Sequence, residues 1–216
     1  MTIGIAIPTY KNHLSSLETL LDKISKSTVL PTQVSVSISS TDEYSINKEY
    51  PFELILTVTS DYKNPSQNRN ISATKLTTDI ISFIDGDDFP HPQRNEFVLK
   101  SFGLGSECVV HNYHKNSHLY QDFFKVKYDD IVYLPKYIDT LYNDTIYPRS
   151  GVEHIDYHSA HVSVSKELYS KFQYNEDEAV KYKEDSYYVR TLVENNYPLC
   201  FLNNKLTLYL KWNFSI

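Results

Sequence analysis

Residues 80–93, IISFIDGDDFPHPQ, join a run that is apolar except for Ser82 to three carboxylates, Asp85, Asp87 and Asp88. A strand that is apolar throughout is buried on both faces, and such strands belong to parallel sheets covered by helices. The carboxylates follow this strand directly, and in open α/β sheets ligands bind outside the carboxyl ends of the strands. The segment therefore predicts an α/β fold with an acidic ligand site at the end of a strand.

The chain before this segment has the pattern of alternating strands and helices. Residues 2–10, TIGIAIPTY, predict a buried strand that Pro8 breaks, because proline cannot continue a central ladder. Alternating apolar residues predict two further strands at 34–38 and 52–58. Four strands with intervening helices predict a Rossmann-like α/β half over about residues 1–105.

The second half, about residues 106–216, is less regular. A predicted helix at 94–102 precedes it. Within it, the sequence predicts strands at 108–114 and 159–165 and a helix at 184–196. The tail LCFLNNKLTLYLKW predicts a hairpin that turns on Asn203 and Asn204. Composition and the lack of a linker predict one domain over residues 1–216.

Charge and composition exclude several classes of protein. The formal net charge is -6 and Lys and Arg do not cluster, which argues against nucleic-acid binding. Cys108 and Cys200 lie inside apolar runs, which indicates buried, reduced thiols. No apolar run approaches the roughly 20 residues of a membrane helix, and Met1 leads into a strand-like segment rather than a basic signal region. We therefore expect a soluble, cytoplasmic protein without a signal peptide or a transmembrane segment.

The DGDD sequence has the chemistry of a cation site. Asp85 and Asp87, one residue apart at a strand tip, can point at a common spot and hold Mn²⁺ or Mg²⁺ through oxygen ligands, with phosphate oxygens completing the shell. Gly86 permits a tight backbone between them. The alternative is an acidic turn without a ligand.

A second acidic pair, Glu184 and Asp185, begins a predicted helix. Acidic residues at a helix N-terminus interact favourably with the helix dipole, so helix stabilisation alone could explain them. A carboxylate in an enclosed site could instead act as a general base for a hydroxyl group. Composition does not choose between these two roles.

Three segments together resemble the GT-A glycosyltransferases of the family 2 type, over nearly the whole chain. IAIPTYKNHLSSLETLLDKI resembles that family's first strand and helix, and NRNISATKLTTDIISFIDGDD resembles its helix, strand and DXD motif. KEDSYYVRTLVENNYP resembles its ED motif. The short length and many Tyr and Asn residues are also similar to the compact glycosyltransferases of large DNA viruses.

The resemblance implies a GT-A fold, with a nucleotide-binding half and a mixed-sheet acceptor half, and an inverting, metal-dependent hexose transfer from a nucleotide sugar, most simply a UDP-sugar, to a glycan or protein-linked glycan. Asp87 and Asp85 would hold the metal, Asp185 would be the base and Glu184 would support it. The residues implied to bind the nucleotide sugar are Pro8, Thr9, Tyr10, Asp42, Asn68, Arg69, Asp85 and Gly86. For Arg69 the alternative is an ion pair on a helix surface.

Other functions remain open at the level of sequence. Phosphotransferases of the haloacid-dehalogenase kind also place DXD after a strand, although normally the first one. A carbohydrate- or nucleotide-binding protein could keep the fold without turnover. The histidines match no zinc pattern, but one of them could complete the shell of the cation. Those considered are His111, His114, His118, His154, His158 and His161.

Overall fold

A computed structural model describes residues 1–115, 120–132, 141–142, 145–146, 155–156, 159–181, 183–197 and 199–210. The helices are α1 (Leu14–Ile24), α2 (Pro65–Thr74), α3 (Arg94–Gly103), α4 (Tyr120–Phe123), α5 (Lys166–Lys171) and α6 (Glu184–Glu194). The strands are β1 (Ile3–Tyr10), β2 (Gln33–Ser39), β3 (Glu53–Thr59), β4 (Ile80–Phe83), β5 (Phe89–Pro90), β6 (Cys108–His114), β7 (Leu141–Tyr142), β8 (Thr145–Ile146), β9 (Ile155–Asp156), β10 (Ser163–Ser165) and β11 (Cys200–Leu208).

Within this described part, one mixed sheet of eight strands has the order β3-β2-β1-β4-β10-β6-β11-β5, and β7, β8 and β9 form a small separate sheet. Strands β3, β2, β1 and β4 are parallel, as predicted for the first half. Strand β10 is antiparallel to both β4 and β6, and it joins the two halves of the chain into a single sheet. The result is one α/β domain in which the carboxyl ends of β1, β2 and β4 lie at the same edge.

Strand β1 passes through Pro8, so the predicted break is wrong. Pro8 pairs with Ser37 of β2, while the pairing with β4 ends at Ala6. The carbonyl oxygens of Ala6 and Pro8 accept hydrogen bonds from Ile84 and Gly86, which follow β4. Because the N and O of one strand residue face the same side, the proline nitrogen faces this end of β4, and the regular ladder loses no hydrogen bond there.

Over residues 40–52, all of which are described, no helix connects β2 to β3. Residues 40–52 form an irregular connection whose Tyr44, Ile46 and Tyr50 pack against the apolar cluster on the α1 side of the sheet. Their aromatic and aliphatic groups cover the apolar face that a helix would otherwise cover. The connection therefore satisfies the same requirement for burial without helical periodicity.

Helix α2 lies against a polar side of β2. The serines that alternate with Val34, Val36 and Ile38 are buried rather than exposed, and two of them bond to Asn68 of α2. Asn64 caps this helix: its side chain accepts from the backbone N–H of Gln67, and the Gln67 side chain accepts from the backbone N–H of Asn64. The capping box fixes where α2 begins and thus the register of its buried face.

The C-terminal segment is a single strand, so the predicted hairpin is wrong. Strand β11 runs parallel to β6, with register shifts on either side of Lys205. Asn204 sits within the strand, where its amide oxygen accepts from the N–H of Val132 and its amide nitrogen donates to the carbonyl of Asp130. These contacts anchor a neighbouring loop, which is why an Asn pair that suggests a turn occurs in a strand.

Helices cover both faces of the sheet. Helices α2 and α6 contribute to the apolar cluster on one face, while α1 and α3 contribute to clusters on the other. Both Cys108 and Cys200 are free thiols, as predicted, but only Cys108 is buried, and Cys200 is half-buried. None of the helices in the described ranges is long and apolar enough to cross a membrane.

Candidate active site

The loop after β4, residues 85–88, forms the floor of the candidate site and is called the DGD loop below. The N–H of Gly86 donates to the carbonyl of Pro8 at 3.3 Å, and the Gly86 carbonyl accepts from the Ser16 hydroxyl at 2.9 Å. A Cβ at Gly86 would lie 2.6 Å from the Thr9 Oγ1 atom. The loop therefore rests directly on the end of β1, and only glycine fits at this position.

Arg69 connects the two acidic motifs. Its Nη2 atom lies 2.8 Å from Asp85 Oδ1, and its Nη1 atom lies 2.5 Å from Glu184 Oε1. Arg69 does form ion pairs, but its side chain is only 4% exposed, so the alternative that placed such a pair on a helix surface is wrong. Burial alone would lower the pKa of Arg69, but Asp85, Tyr174 and Glu184 together raise it above its ordinary value. The cation is thus held permanently between two carboxylates that are far apart in the sequence.

Glu184 occupies the first turn of α6 without capping it. The residue before α6, Lys183, makes no side-chain cap, and the Glu184 carboxylate faces Arg69 instead. Burial raises the pKa of Glu184, and Arg69 partly offsets this effect. Glu184 therefore holds α6 against α2 and the DGD loop, and so positions its neighbour.

Asp185, the predicted base, is half-buried at the start of α6. Its Oδ1 atom accepts from the backbone N–H of Ser186 at 2.7 Å. That N–H is one of those at a helix start that lack a partner in the helix, so the helix-stabilising role is present. The bond uses one carboxylate oxygen and is compatible with a second role as a base, which stays a prediction.

Besides Asp85, whose side chain is 24% exposed, Asp87 is the carboxylate of the DGD loop that an incoming cation could reach. Its side chain is 27% exposed, and burial together with Asp88 and Asp85 raises its pKa to about 8. The raised pKa reflects crowded negative charge. A divalent cation would relieve this crowding, because it favours the ionised form of its ligands.

His13 belongs to the same place, although the sequence patterns did not indicate it. It lies in the short turn after β1, with its Nδ1 atom 3.8 Å from Asp87 Oδ1 and its ring centroid 4.3 Å from that of Tyr10. Burial lowers the pKa of His13, despite the opposing effect of Asp85. A neutral imidazole has a lone pair that can bind a metal or accept a hydrogen bond. The only sequence signal was its place just after the first strand.

Asp88 faces away from this site. It is buried, its Oδ2 atom lies 2.7 Å from His161 Nε2, and its Oδ1 atom accepts from the backbone N–H of Leu210. Of the histidines singled out in the sequence, His161 therefore contacts this aspartate. His118, His154 and His158 lie outside the described residues.

The other predicted nucleotide-binding residues have different surroundings. Pro8, Thr9 and Tyr10 end β1 beside the DGD loop, while Asp42 is exposed in the connection after β2. The Asn68 amide bonds to Ser37, Ser39 and the Lys63 carbonyl, so both of its polar atoms support α2 against β2. A contact of these residues with a nucleotide stays a prediction.

The donor set fits a loosely held divalent cation. Within the described ranges, no group of three or more His, Cys, Asp or Glu side chains is arranged to hold a metal ion. Mg²⁺ and ions of similar chemistry are commonly bound by one or two carboxylates, with waters and substrate phosphates as the remaining ligands. Asp87 can provide such a carboxylate, and Asp85 already shares one oxygen with Arg69. The residues present therefore fit a cation that arrives with a diphosphate.

Comparison with known proteins supports the fold. No family model matches the chain, and no curated protein matches its sequence. The structure of S. aureus TarS 1-349 in complex with UDP has a TM-score of 0.65 at 13% identity and covers 98% of this chain and 61% of that chain. The complex of TarS 1-349 with UDP-GlcNAc has a TM-score of 0.63 at 13% identity, covering 100% of this chain and 60% of that chain.

The chain thus spans about 60% of the length of TarS 1-349. The similarity confirms the predicted GT-A-like α/β fold. It does not bear on the resemblance to viral enzymes, which stays a prediction.

Proposed function

We propose that this protein is an inverting, divalent-metal-dependent glycosyltransferase that transfers a hexose from a nucleotide sugar to a glycan acceptor. The observation that carries the proposal is the Arg69 bridge, which brings Asp85 of the DGD loop and Glu184 at the start of α6 to one guanidinium. Two acidic motifs 99 positions apart in the chain thereby face a common site. Such a transfer needs acidic groups in two separate roles, one at the leaving diphosphate and one at the acceptor.

A UDP-sugar is the proposed donor. The fold is similar to TarS structures that hold UDP and UDP-GlcNAc, and the proposed site lies at the carboxyl ends of parallel strands, where such folds bind nucleotides. The end of β1 and the DGD loop would receive the nucleotide and its diphosphate. Gly86 contributes by letting the backbone of the loop lie close to β1.

Asp87 would hold Mn²⁺ or Mg²⁺, with Asp85 and His13 beside it. When bound, the cation supplies positive charge to the oxygens of the leaving diphosphate. Arg69, ion-paired on both sides, keeps the Asp85 carboxylate in place rather than neutralising the diphosphate itself. Because Asp85 is paired with Arg69, Asp87 is the carboxylate that is most available to bind the cation.

Asp185 would accept the proton of the acceptor hydroxyl. General-base help of this kind is typically worth about 10² to 10⁴ in rate. Glu184 positions Asp185 through the ion pair with Arg69, because the two acidic residues are adjacent in the first turn of α6.

Ligand-dependent thermal stability tests the donor site. We expect UDP and its sugars to raise the melting temperature only when Mn²⁺ is present, because a ligand stabilises the fold that it binds. Asp87→Ala should abolish this rise. A panel in which no nucleotide stabilises the wild-type chain would contradict the proposal.

Asp185→Asn tests the catalytic assignment. This variant should bind UDP and Mn²⁺ as the wild type does, while release of UDP from a UDP-sugar falls by about 10² or more. Glu194→Gln, which removes an exposed charge from the other end of α6, is the matched control and should leave turnover unchanged. Full turnover in Asp185→Asn would leave Asp185 with a helix-stabilising role alone.

A further inference from the structure

A cluster of buried polar side chains lies beside the DGD loop and contains neither Asp85 nor Asp87. Its members are Asp88, Arg94, His111 and His161, and all four are 0–1% exposed. They come from the DGD loop, α3, β6 and the turn before β10. Burying this many polar groups is costly unless they are well bonded, so the arrangement calls for a specific role.

The contacts run continuously from one end of the cluster to the other. Arg94 Nε donates to His111 Nε2 at 3.0 Å, and the rings of His111 and His161 stack with centroids 5.8 Å apart and planes at 9°. His161 Nε2 in turn lies 2.7 Å from Asp88 Oδ2. The positive charge of Arg94 at one end of the cluster and the carboxylate of Asp88 at the other are therefore connected through two imidazole rings.

Both ends of the cluster are attached to segments that define the site. Arg94 Nη2 donates to the carbonyl of Phe83, the last residue of β4 before the DGD loop. Asp88 Oδ1 accepts from the backbone N–H of Leu210, two residues beyond the end of β11. The cluster thus holds the two ends of the loop and also the segment that follows β11.

That C-terminal segment lies near the proposed metal site. Leu210 is hydrogen-bonded to Asp88, the residue next to Asp87 in the DGD loop, and burial, followed by the charges of Asp88, Asp87 and Asp85, raises the pKa of Tyr209. The backbone N–H of Tyr209 donates to the carbonyl of His114 at the end of β6. Residues 209–210 are therefore fixed on one side by β6 and on the other by Asp88.

We propose that Asp88 is a positioning residue that couples the segment after β11 to the DGD loop, so that binding of a nucleotide diphosphate with its cation depends on this link. His161, His111 and Arg94 hold the Asp88 carboxylate in place. The proposal rests on the function proposed above. It assigns to Asp88 a role distinct from that of Asp87, although the two carboxylates are adjacent.

Asp88→Ala tests the proposal with two independent measurements. Hydrogen–deuterium exchange of the peptide that contains residues 208–210 should rise in the variant, because the Leu210 N–H loses its acceptor. Calorimetric titration with UDP in the presence of Mn²⁺ should show affinity weaker by about 10-fold or more, the usual effect of removing a group that orients a metal site.

Gln33→Ala is the matched control. Gln33 is also buried and accepts from the backbone N–H and the hydroxyl of Thr77, but it lies at the amino end of β2, at the opposite edge of the sheet. This variant should lose stability without changing the exchange of residues 208–210 or the affinity for UDP.

Two further variants keep the test decisive if Asp88→Ala does not fold. Asp88→Asn keeps the shape and one acceptor, and it should show an intermediate loss of affinity. Leu210→Pro removes the N–H donor at the end of the link, together with a leucine side chain that packs on the apolar cluster, and it should raise exchange at the amides of residues 208 and 209 and weaken UDP binding while the sheet stays intact.

Unchanged exchange in Asp88→Ala and Leu210→Pro would overturn the proposal, and so would raised exchange with wild-type affinity for UDP. If the wild type binds no nucleotide, the proposed function fails. In that case, loss of protection from hydrogen exchange at residues 208–210 in Asp88→Ala would still support the link between Asp88 and the C-terminal segment. Retained protection in that variant would refute the link.

Discussion

Asp87→Asn tests whether crowded negative charge at the DGD loop costs the ligand-free protein stability. Burial, Asp88 and Asp85 raise the pKa of Asp87 from 3.8 to about 8. Between these values the folded chain binds more protons than the unfolded chain. The free energy of unfolding therefore falls as the pH rises from about 4 to about 8, and the cost is absent below about pH 4.

The size of this cost follows from the same values. Each pH unit between 3.8 and 7 would cost about 1.4 kcal/mol, so the full difference at pH 7 would be about 4 kcal/mol. The side chain is 27% exposed, and water and salt screen its charge, so we expect about 1 to 2 kcal/mol in solution. Asn has nearly the same shape without the charge. For a chain of this length, the variant should melt about 3 to 6 °C higher than the wild type near pH 7.

Melting curves at pH 4, 6 and 8 without ligand measure the effect directly. The difference between variant and wild type should be near zero at pH 4 and should grow with pH. Asp122→Asn, which removes a carboxylate that is 71% exposed, is the control and should give no such trend. With Mn²⁺ and UDP present, the wild type should melt at a higher temperature than Asp87→Asn, because only the wild type has the Asp87 carboxylate that would hold the cation. A ligand-free Asp87→Asn protein that melts below the wild type at pH 8 would refute the charge-crowding argument.

Three further substitutions test the rest of the site. Gly86→Ala should abolish binding of UDP with Mn²⁺ and destabilise the fold by about 1 to 3 kcal/mol, because the added Cβ meets Thr9 at 2.6 Å. Gly103→Ala, whose Cβ would lie 4.0 Å from its nearest neighbour, should leave binding unchanged and should not lower the melting temperature. His13→Gln should weaken Mn²⁺-dependent UDP binding by about 3- to 10-fold without changing the melting temperature of the free protein, and an unchanged affinity by calorimetry would remove His13 from the site. Arg69→Met should lower the free energy of unfolding by about 3 to 5 kcal/mol in urea denaturation, since two carboxylates lose their shared cation; a loss below about 1 kcal/mol would mean that the bridge contributes little in solution.

The sequence by itself determined the parts of the protein that depend on local pattern. An apolar run buried on both faces predicts a central strand, and the carboxylates that follow must then lie at the edge of the sheet where the parallel strands end. In the same way, the acidic pair before an amphipathic segment marked the start of α6. A few consecutive residues are enough to predict these features, because the patterns of burial in strands and helices repeat every two to four residues.

Only the tertiary structure decided which partner each polar group has. The sequence assigned the metal to Asp87 and not to Asp88 but did not show what Asp88 contacts; Asp87 is 27% exposed, while Asp88 is buried against a histidine 73 residues away. Arg69 reaches Glu184 across 115 residues, and the Asn pair of the predicted hairpin lies within a continuous strand. Periodicity shows that a side chain is buried but not what it contacts. Side-chain direction and distant partners are fixed by packing between elements, and these decide which acidic group is left for a ligand.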